Sequence, residues 1–156
     1  MNVTSYLIEA HICRKINDKI EYLILKRSET DTYPNIWQMV TGSISENEKA
    51  YEAALREIKE ETALIPKKLW VIPFVNSFYS FQKDLVCLVP VFCAEVDAFA
   101  QVKISDEHSL FKWVDINEAK SKFAWDGQRK SLEIIDEYLT VKNSFLHFTE
   151  IPIAKK

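Results

Sequence analysis

The chain has 156 residues, 47% of them hydrophobic and 12% aromatic, enough to close the core of one domain. Its 20 Lys and Arg against 23 Asp and Glu leave a formal net charge of −3, which argues against a nucleic-acid coat or a polybasic membrane binder. Only two glycines occur, Gly42 and Gly127, so glycine-rich phosphate loops and collagen-like sequences are excluded. Cys13, Cys87 and Cys93 lack metal or disulfide spacing and read as small buried hydrophobes. The first residues lack the basic and apolar regions of a leader, and no apolar run approaches a membrane span, so a cytoplasmic protein is expected.

In chain order, residues 3–13 and 20–25 read as two strands joined across a turn at Asn17-Asp18. A polar loop over 28–35 leads to a short strand over 36–40. Ser45-x-x-Glu48 has the form of a capping box, which predicts a helix from there to about Leu64, stopped by Pro66. Residues 69–79 and 85–96 flank Gln82-Lys83-Asp84 as a long hairpin, and 111–114 is a further strand. Asp115 caps a helix to about Phe123, and Asp126 caps another from about Gln128 to Val141. These elements predict an α+β chain, an α/β sandwich around a mostly mixed or antiparallel sheet. A single domain is expected over residues 1–144, with 145–156 a tail that the apolar Phe145, Phe148, Ile151 and Ile153 could order.

The first long helix breaks local rules. With Glu57 at zero and about 100° per residue, Glu60 falls near −60° and Glu61 near +40°, so three carboxylates share one narrow face. They also occupy the last turns, where the helix dipole disfavours anions. One reading is a solvated acidic face paired with Lys49, Arg56 and Lys59. The other is a cation site, and oxygen ligands without thiolate or imidazole favour Mg²⁺ or Mn²⁺ over Zn²⁺.

The pattern extends beyond that helix. Gly42, Glu48, Arg56-Glu57-Ile58, Glu60-Glu61 and Ala63-Leu64 resemble the Nudix box, G-x5-E-x7-R-E-U-x-E-E-x-G-U with U aliphatic, at every fixed position but one. The departure is Ala63, where the family has glycine at the helix exit. The resemblance implies a Nudix-type fold, an α/β/α sandwich around a mixed sheet, and a hydrolase that cleaves a diphosphate bond with Mg²⁺ or Mn²⁺. It also implies a small phosphorylated substrate rather than a nucleic-acid polymer or a membrane. Carried over by position, Glu57, Glu60 and Glu61 would hold metal, Arg56 would orient Glu57, and the backbone at Thr41-Gly42 would offer a carbonyl. Glu48 would be chiefly structural. Glu107-His108-x4-Trp113-Val114 resembles a segment of several Nudix subfamilies, which implies that Glu107 is a further ligand or the base. His108 is read as structural, because neither His11 nor His147 gives it metal-like spacing.

The run Trp37-Gln38-Met39-Val40-Thr41-Gly42-Ser43 resembles the branch of the family that cleaves dihydroneopterin triphosphate. That resemblance implies substrate contacts from Arg27, Trp37, Gln38, Thr41 and Gly42, with Arg27 on a phosphate. Nucleoside triphosphates such as dATP and dinucleoside polyphosphates stay open as substrates. Phe78, Tyr79 and Phe81 could form a platform for a ring, part of the core, or the interface of a homodimer. A Nudix-fold module that binds a phosphorylated ligand without cleaving it is the rival from another class.

Overall fold

Asn17 and Asp18 both adopt positive φ, 49° and 65°, the geometry that lets a two-residue turn follow the twist of its strands. The computed structural model, which describes residues 1–154, therefore folds β2 (Leu7–Ile16) tightly back on β3 (Lys19–Arg27). The expected first strand is interrupted at Ser5-Tyr6, and its start, β1 (Asn2–Thr4), pairs instead with β7 (Leu85–Glu95). The strand expected over 36–40 is likewise two pieces, β4 (Trp37–Gln38) against β3 and β5 (Val40–Ser43) against β2. The long hairpin is present as β6 (Lys68–Ser80) on β7, and β8 (His108–Val114) pairs antiparallel with β3. Because β7 runs parallel to β2 while the other neighbours of β2 are antiparallel, the sheet is mixed.

Alternation along β2 divides the core into two layers. Ile8, Ala10 and Ile12 face α1 (Ala50–Thr62), packing with Ala53, Ala54 and Ile58. Cys13 faces the other way with Tyr22 and Met39, onto α2 (Ile116–Lys122) and α3 (Asp126–Thr140) through Ala119, Leu132 and Ile135. The result is the expected α/β/α sandwich. Buried polar groups in the second layer pair locally, with His11 Nε2, Glu9 Oε1 and Ser131 Oγ within 3.1 Å of one another. Asp115 caps α2 by accepting from the Glu118 amide at 2.8 Å.

Three helix ends bear on the sequence expectation; Asp126 does not cap the last helix but lies inside its first turn, with Trp125 at the N-cap. Ser45 and Glu48 do bond reciprocally, Ser45 N to Glu48 Oε1 at 2.9 Å and Glu48 N to Ser45 O at 3.1 Å, but they close a turn and not a helix. The helix starts at Ala50, where the Lys49 amide donates to Glu52 Oε2 at 2.9 Å. At the other end Ala63 takes the left-handed conformation, φ 62°, and its amide closes the helix onto Lys59 O. Beyond α3, the tail forms a 3-10 turn (Asn143–Phe148) that buries Leu146, then lies along the edge of β6 through Val71 N to Thr149 O and Ile151 N to Leu69 O. The last two residues of the expected tail lie outside the described residues. Among the described residues no helix is long and apolar enough to cross a membrane.

An alanine at left-handed φ carries Cβ strain of about 1–2 kcal/mol, partly offset by the smaller entropy of its unfolded chain. Ala63→Gly should therefore raise stability by about 0.5–1 kcal/mol and Tm by about 1–4 °C, read by thermal unfolding.

Candidate active site

Arg56 is the hub of the acidic face of α1. Its Nε and Nη2 donate to Glu48 Oε2 and Oε1 at 2.8 and 2.9 Å, a bidentate clamp that holds the Glu48 carboxyl down at about 2. Nη1 donates to Glu57 Oε1 at 2.7 Å and more distantly to Glu60 Oε2 at 3.3 Å, while Nη2 also reaches Ser43 O at 2.8 Å. One guanidinium thus ties the end of β5, the turn before α1 and the first carboxylate of the cluster together. Glu48 has no free role in this geometry: both of its oxygens are taken.

Gly42 sits in β5 opposite Ile8, and its φ is not positive. Its lack of a side chain matters for another reason. A Cβ built there would lie 2.3 Å from Glu57 Cδ, so the Glu57 carboxylate occupies the space that any other residue would fill.

Glu61 differs from its neighbours on the face. Its side chain is 2% exposed, whereas that of Glu60 is 57% exposed, so the three acids are not one solvated stripe. Oε2 of Glu61 is buried without a hydrogen-bond partner. Burial first, and then the charges of Glu107 and Glu57, push its carboxyl up to about 9. Glu107, exposed at the foot of β8, is also raised, by partial burial and by Glu57 and Asp31, against the opposing charge of Arg27.

What brings Glu107 to Glu61 is backbone chemistry. The last carbonyls of α1 need donors, and the loop before β8 supplies them, Lys103 N to Thr62 O at 2.9 Å and Ser105 N to Glu61 O at 3.3 Å. The chain then turns through His108 N to Ser105 O, and Glu107 O accepts from Ser28 N at 3.0 Å. His108 pairs with Arg27 across β8 and β3, beside a bulge between Lys26 and Arg27. Three segments far apart in sequence therefore meet at one point.

His108 is the residue that the sequence reading left out of the site. Its side chain is 1% exposed, its Nε2 lies 3.5 Å from Glu61 Oε1, and neither ring nitrogen has a hydrogen-bond partner. Burial, reinforced by Arg27, holds the imidazole down at about 4, so it is neutral near pH 7. Ligand atoms of Glu61, Glu107 and His108 lie within 4.8 Å of one another. No spacing rule within the sequence could have found this, since the contact exists only through the loop stapled to α1. An orphaned buried carboxylate oxygen, a glycine cradle for Glu57 and converging acids form a donor set that suits a divalent cation.

The other expected residues are more dispersed. Arg27 is engaged by its own loop, Nη2 with Asp31 Oδ1 at 2.9 Å and Nε with Thr32 O at 2.5 Å. Trp37 is half-buried on the α2 side, 5.6 Å beneath the Lys122 ammonium. Gln38 is buried opposite Leu25 with Nε2 unpartnered, and Thr41 is half-buried opposite Glu9. Phe78, Tyr79 and Phe81 are exposed on the β6 hairpin.

A two-layered mixed-sheet sandwich with converging carboxylates at the end of α1 is the arrangement of a phosphate-anhydride hydrolase, and the NUDIX domain family matches residues 7–134. The chain belongs to that family and is a Nudix hydrolase acting on phosphate anhydrides. It is 29% identical over 128 residues to the dihydroneopterin triphosphate diphosphatase of Escherichia coli, covering 74% of this chain and 83% of that protein. It is 28% identical over 109 residues to the asymmetrical bis(5'-nucleosyl)-tetraphosphatase of Caenorhabditis elegans, covering 69% and 77%. A solved Ap4A hydrolase from C. elegans shares the fold with a TM-score of 0.74 at 23% identity, over 89% of this chain and 98% of that one. An octanoyltransferase of Myxococcus xanthus is 29% identical over 71% of this chain, which spans only 30% of that relative's length.

Two outcomes follow from the packing. Gly42→Ala should displace Glu57 from Arg56 and weaken divalent-cation binding, measured by calorimetric titration, with the fold retained by circular dichroism. The second concerns pH. A carboxyl raised from 4.5 to about 9 contributes stability that is complete below the unfolded value and is lost as pH rises through the folded one. The depressed His108 works the opposite way, and its contribution is complete above its ordinary 6.5. In urea unfolding of the metal-free protein, stability should therefore fall from about pH 6.5 to about pH 9, and Glu61→Gln should flatten that slope.

Proposed function

We propose that this Nudix hydrolase is a divalent-cation-dependent diphosphohydrolase that cleaves dihydroneopterin triphosphate to the monophosphate and pyrophosphate. The observation that carries the substrate choice is the Trp37-to-Ser43 run on β4 and β5, which leads directly into the Gly42 cradle of Glu57. The E. coli diphosphatase is 29% identical to the chain over 128 residues, against 26–28% over 109 to 136 residues for the tetraphosphatases. The tetraphosphatase relatives favour a second reading, a dinucleoside polyphosphate, with dATP-like triphosphates beside it.

In this account Glu57, Glu60, Glu61 and Glu107 would hold Mg²⁺ or Mn²⁺, with the Thr41-Gly42 backbone offering a carbonyl. The cation would supply charge neutralisation at phosphate and a more acidic water. The protein's own groups do the rest. Arg56 fixes the rotamer of Glu57, so its carboxylate is in place before substrate arrives. The Glu107 carboxylate, at the edge of this cluster, takes a proton as water oxygen bonds to phosphorus and the bridging oxygen leaves with pyrophosphate. Arg27 exchanges its contact with Asp31 for a phosphate oxygen, with Trp37, Gln38 and Thr41 lining the approach to the ring.

The test is product analysis by ion-exchange chromatography after incubation with Mg²⁺ and dihydroneopterin triphosphate, dATP, diadenosine tetraphosphate or ADP-ribose. Pyrophosphate should be released from the pterin substrate fastest. Turnover should fall by more than about a hundredfold in Glu57→Gln or Glu61→Gln while the fold is kept, since even outer partners of metal ligands cost about 10–100-fold. Preferred cleavage of diadenosine tetraphosphate would replace the substrate with the second reading. Cation-dependent binding of substrate with no turnover would replace the enzyme with a binding module.

A further inference from the structure

Histidine is absent from the carboxylate pattern of the box, yet one imidazole is buried at its edge with nothing to bond to. We propose that His108 supplies a ring nitrogen to a divalent cation shared with Glu61 and Glu107, so that this position prefers first-row transition cations, Mn²⁺ among them, over Mg²⁺. The proposal rests on the cation-dependent reading above and names the donor set of one position within it.

Four observations carry it. The ligand atoms of Glu61, Glu107 and His108 lie within 4.8 Å of one another, close to the roughly 3–4 Å between donors that share one ion at about 2.1 Å. The separation of His108 Nε2 from Glu61 Oε1, 3.5 Å, is long for a charge-assisted hydrogen bond but ordinary for two ligands of one cation. Both ring nitrogens of His108 and Oε2 of Glu61 are buried without partners, and a cation held by one ring nitrogen and by Glu61 would satisfy two of these three atoms. Finally, the position of His108 does not depend on that cation. Its amide bonds to Ser105 O, and the adjoining loop is held by the terminal carbonyls of α1.

The chemistry then sets selectivity. Mg²⁺ takes oxygen donors almost without exception and parts reluctantly with its water, whereas an imidazole donor favours the first-row transition cations, least for Mn²⁺ and increasingly toward Co²⁺ and Zn²⁺. Two carboxylates with one imidazole therefore shift preference along the divalent series without excluding Mg²⁺ from positions held by oxygen alone.

The experiment is pulsed electron paramagnetic resonance on the metal-free protein loaded with stoichiometric Mn²⁺, alongside His108→Gln and Glu61→Gln. Wild type should show nitrogen-14 modulation of the Mn²⁺ echo at the strength of a directly bound imidazole. His108→Gln should lose that modulation, keep Mn²⁺ binding through the carboxylates, and lower the Mn²⁺ over Mg²⁺ affinity ratio by about tenfold or more. Mn²⁺ bound tightly in wild type without nitrogen modulation overturns the proposal and leaves His108 as a packing residue. That measurement needs no variant, so misfolding of His108→Gln cannot hide the answer. Failure of the wider reading looks different: wild type would not bind Mn²⁺ tightly, or Glu61→Gln would bind it as tightly as wild type.

Discussion

Burial of the Glu61 carboxyl is the constraint around which the rest of the site is arranged. A carboxylate removed from water and faced by Glu57 and Glu107 is strongly disfavoured as an anion, and among the described residues no lysine or arginine forms an ion pair with it. A fold that keeps such a group at 2% exposure must either keep it protonated or provide a cation when it works. Every neighbouring feature is consistent with the second solution. Arg56 neutralises Glu48 and steadies Glu57 but stops short of Glu61, and Gly42 clears room for Glu57 instead of packing against it.

The scaffold makes this arrangement tolerable. Ala53, Ala54 and Ile58 anchor α1 in one core layer, so the helix does not depend on its acidic face for stability. Its exposed end carbonyls are satisfied by the loop before β8, and the same bonds deliver Glu107 and His108. Capping and site assembly are thus one event. Arg27 enters through the bulge at the end of β3 and supplies the positive charge nearest to Glu61 and Glu107, held meanwhile by Asp31.

Much of this was legible in the sequence, and the remainder was not for identifiable reasons. The Asn17-Asp18 turn and the Asp115 cap are local chemistry and are found where expected. The crowding of Glu57, Glu60 and Glu61 follows from helical geometry alone. Their unequal burial does not, because it depends on which side of α1 the later loop covers. Ser45-x-x-Glu48 misled because its reciprocal bonds suit a turn as well as a helix start, and because Arg56, two turns on, claims the Glu48 side chain. Gly42 stood out as one of two glycines, but its purpose is a close approach by Glu57 and not a turn. Ala63 shows that the left-handed exit is set by the fold, which imposes it on a residue that resists it. His108 was read as structural because Glu61, the group it meets, lies on α1 and no spacing in the sequence links the two.

The most direct test of the central claim is a crystal structure of the protein grown with Mn²⁺ and measured at a wavelength where manganese scatters anomalously. The account predicts an anomalous peak within coordination distance of the Glu61 carboxylate, with Glu57 or Glu107 as a second ligand. A fully occupied Mn²⁺ elsewhere on the surface, with Glu61 still buried and uncoordinated, would contradict it.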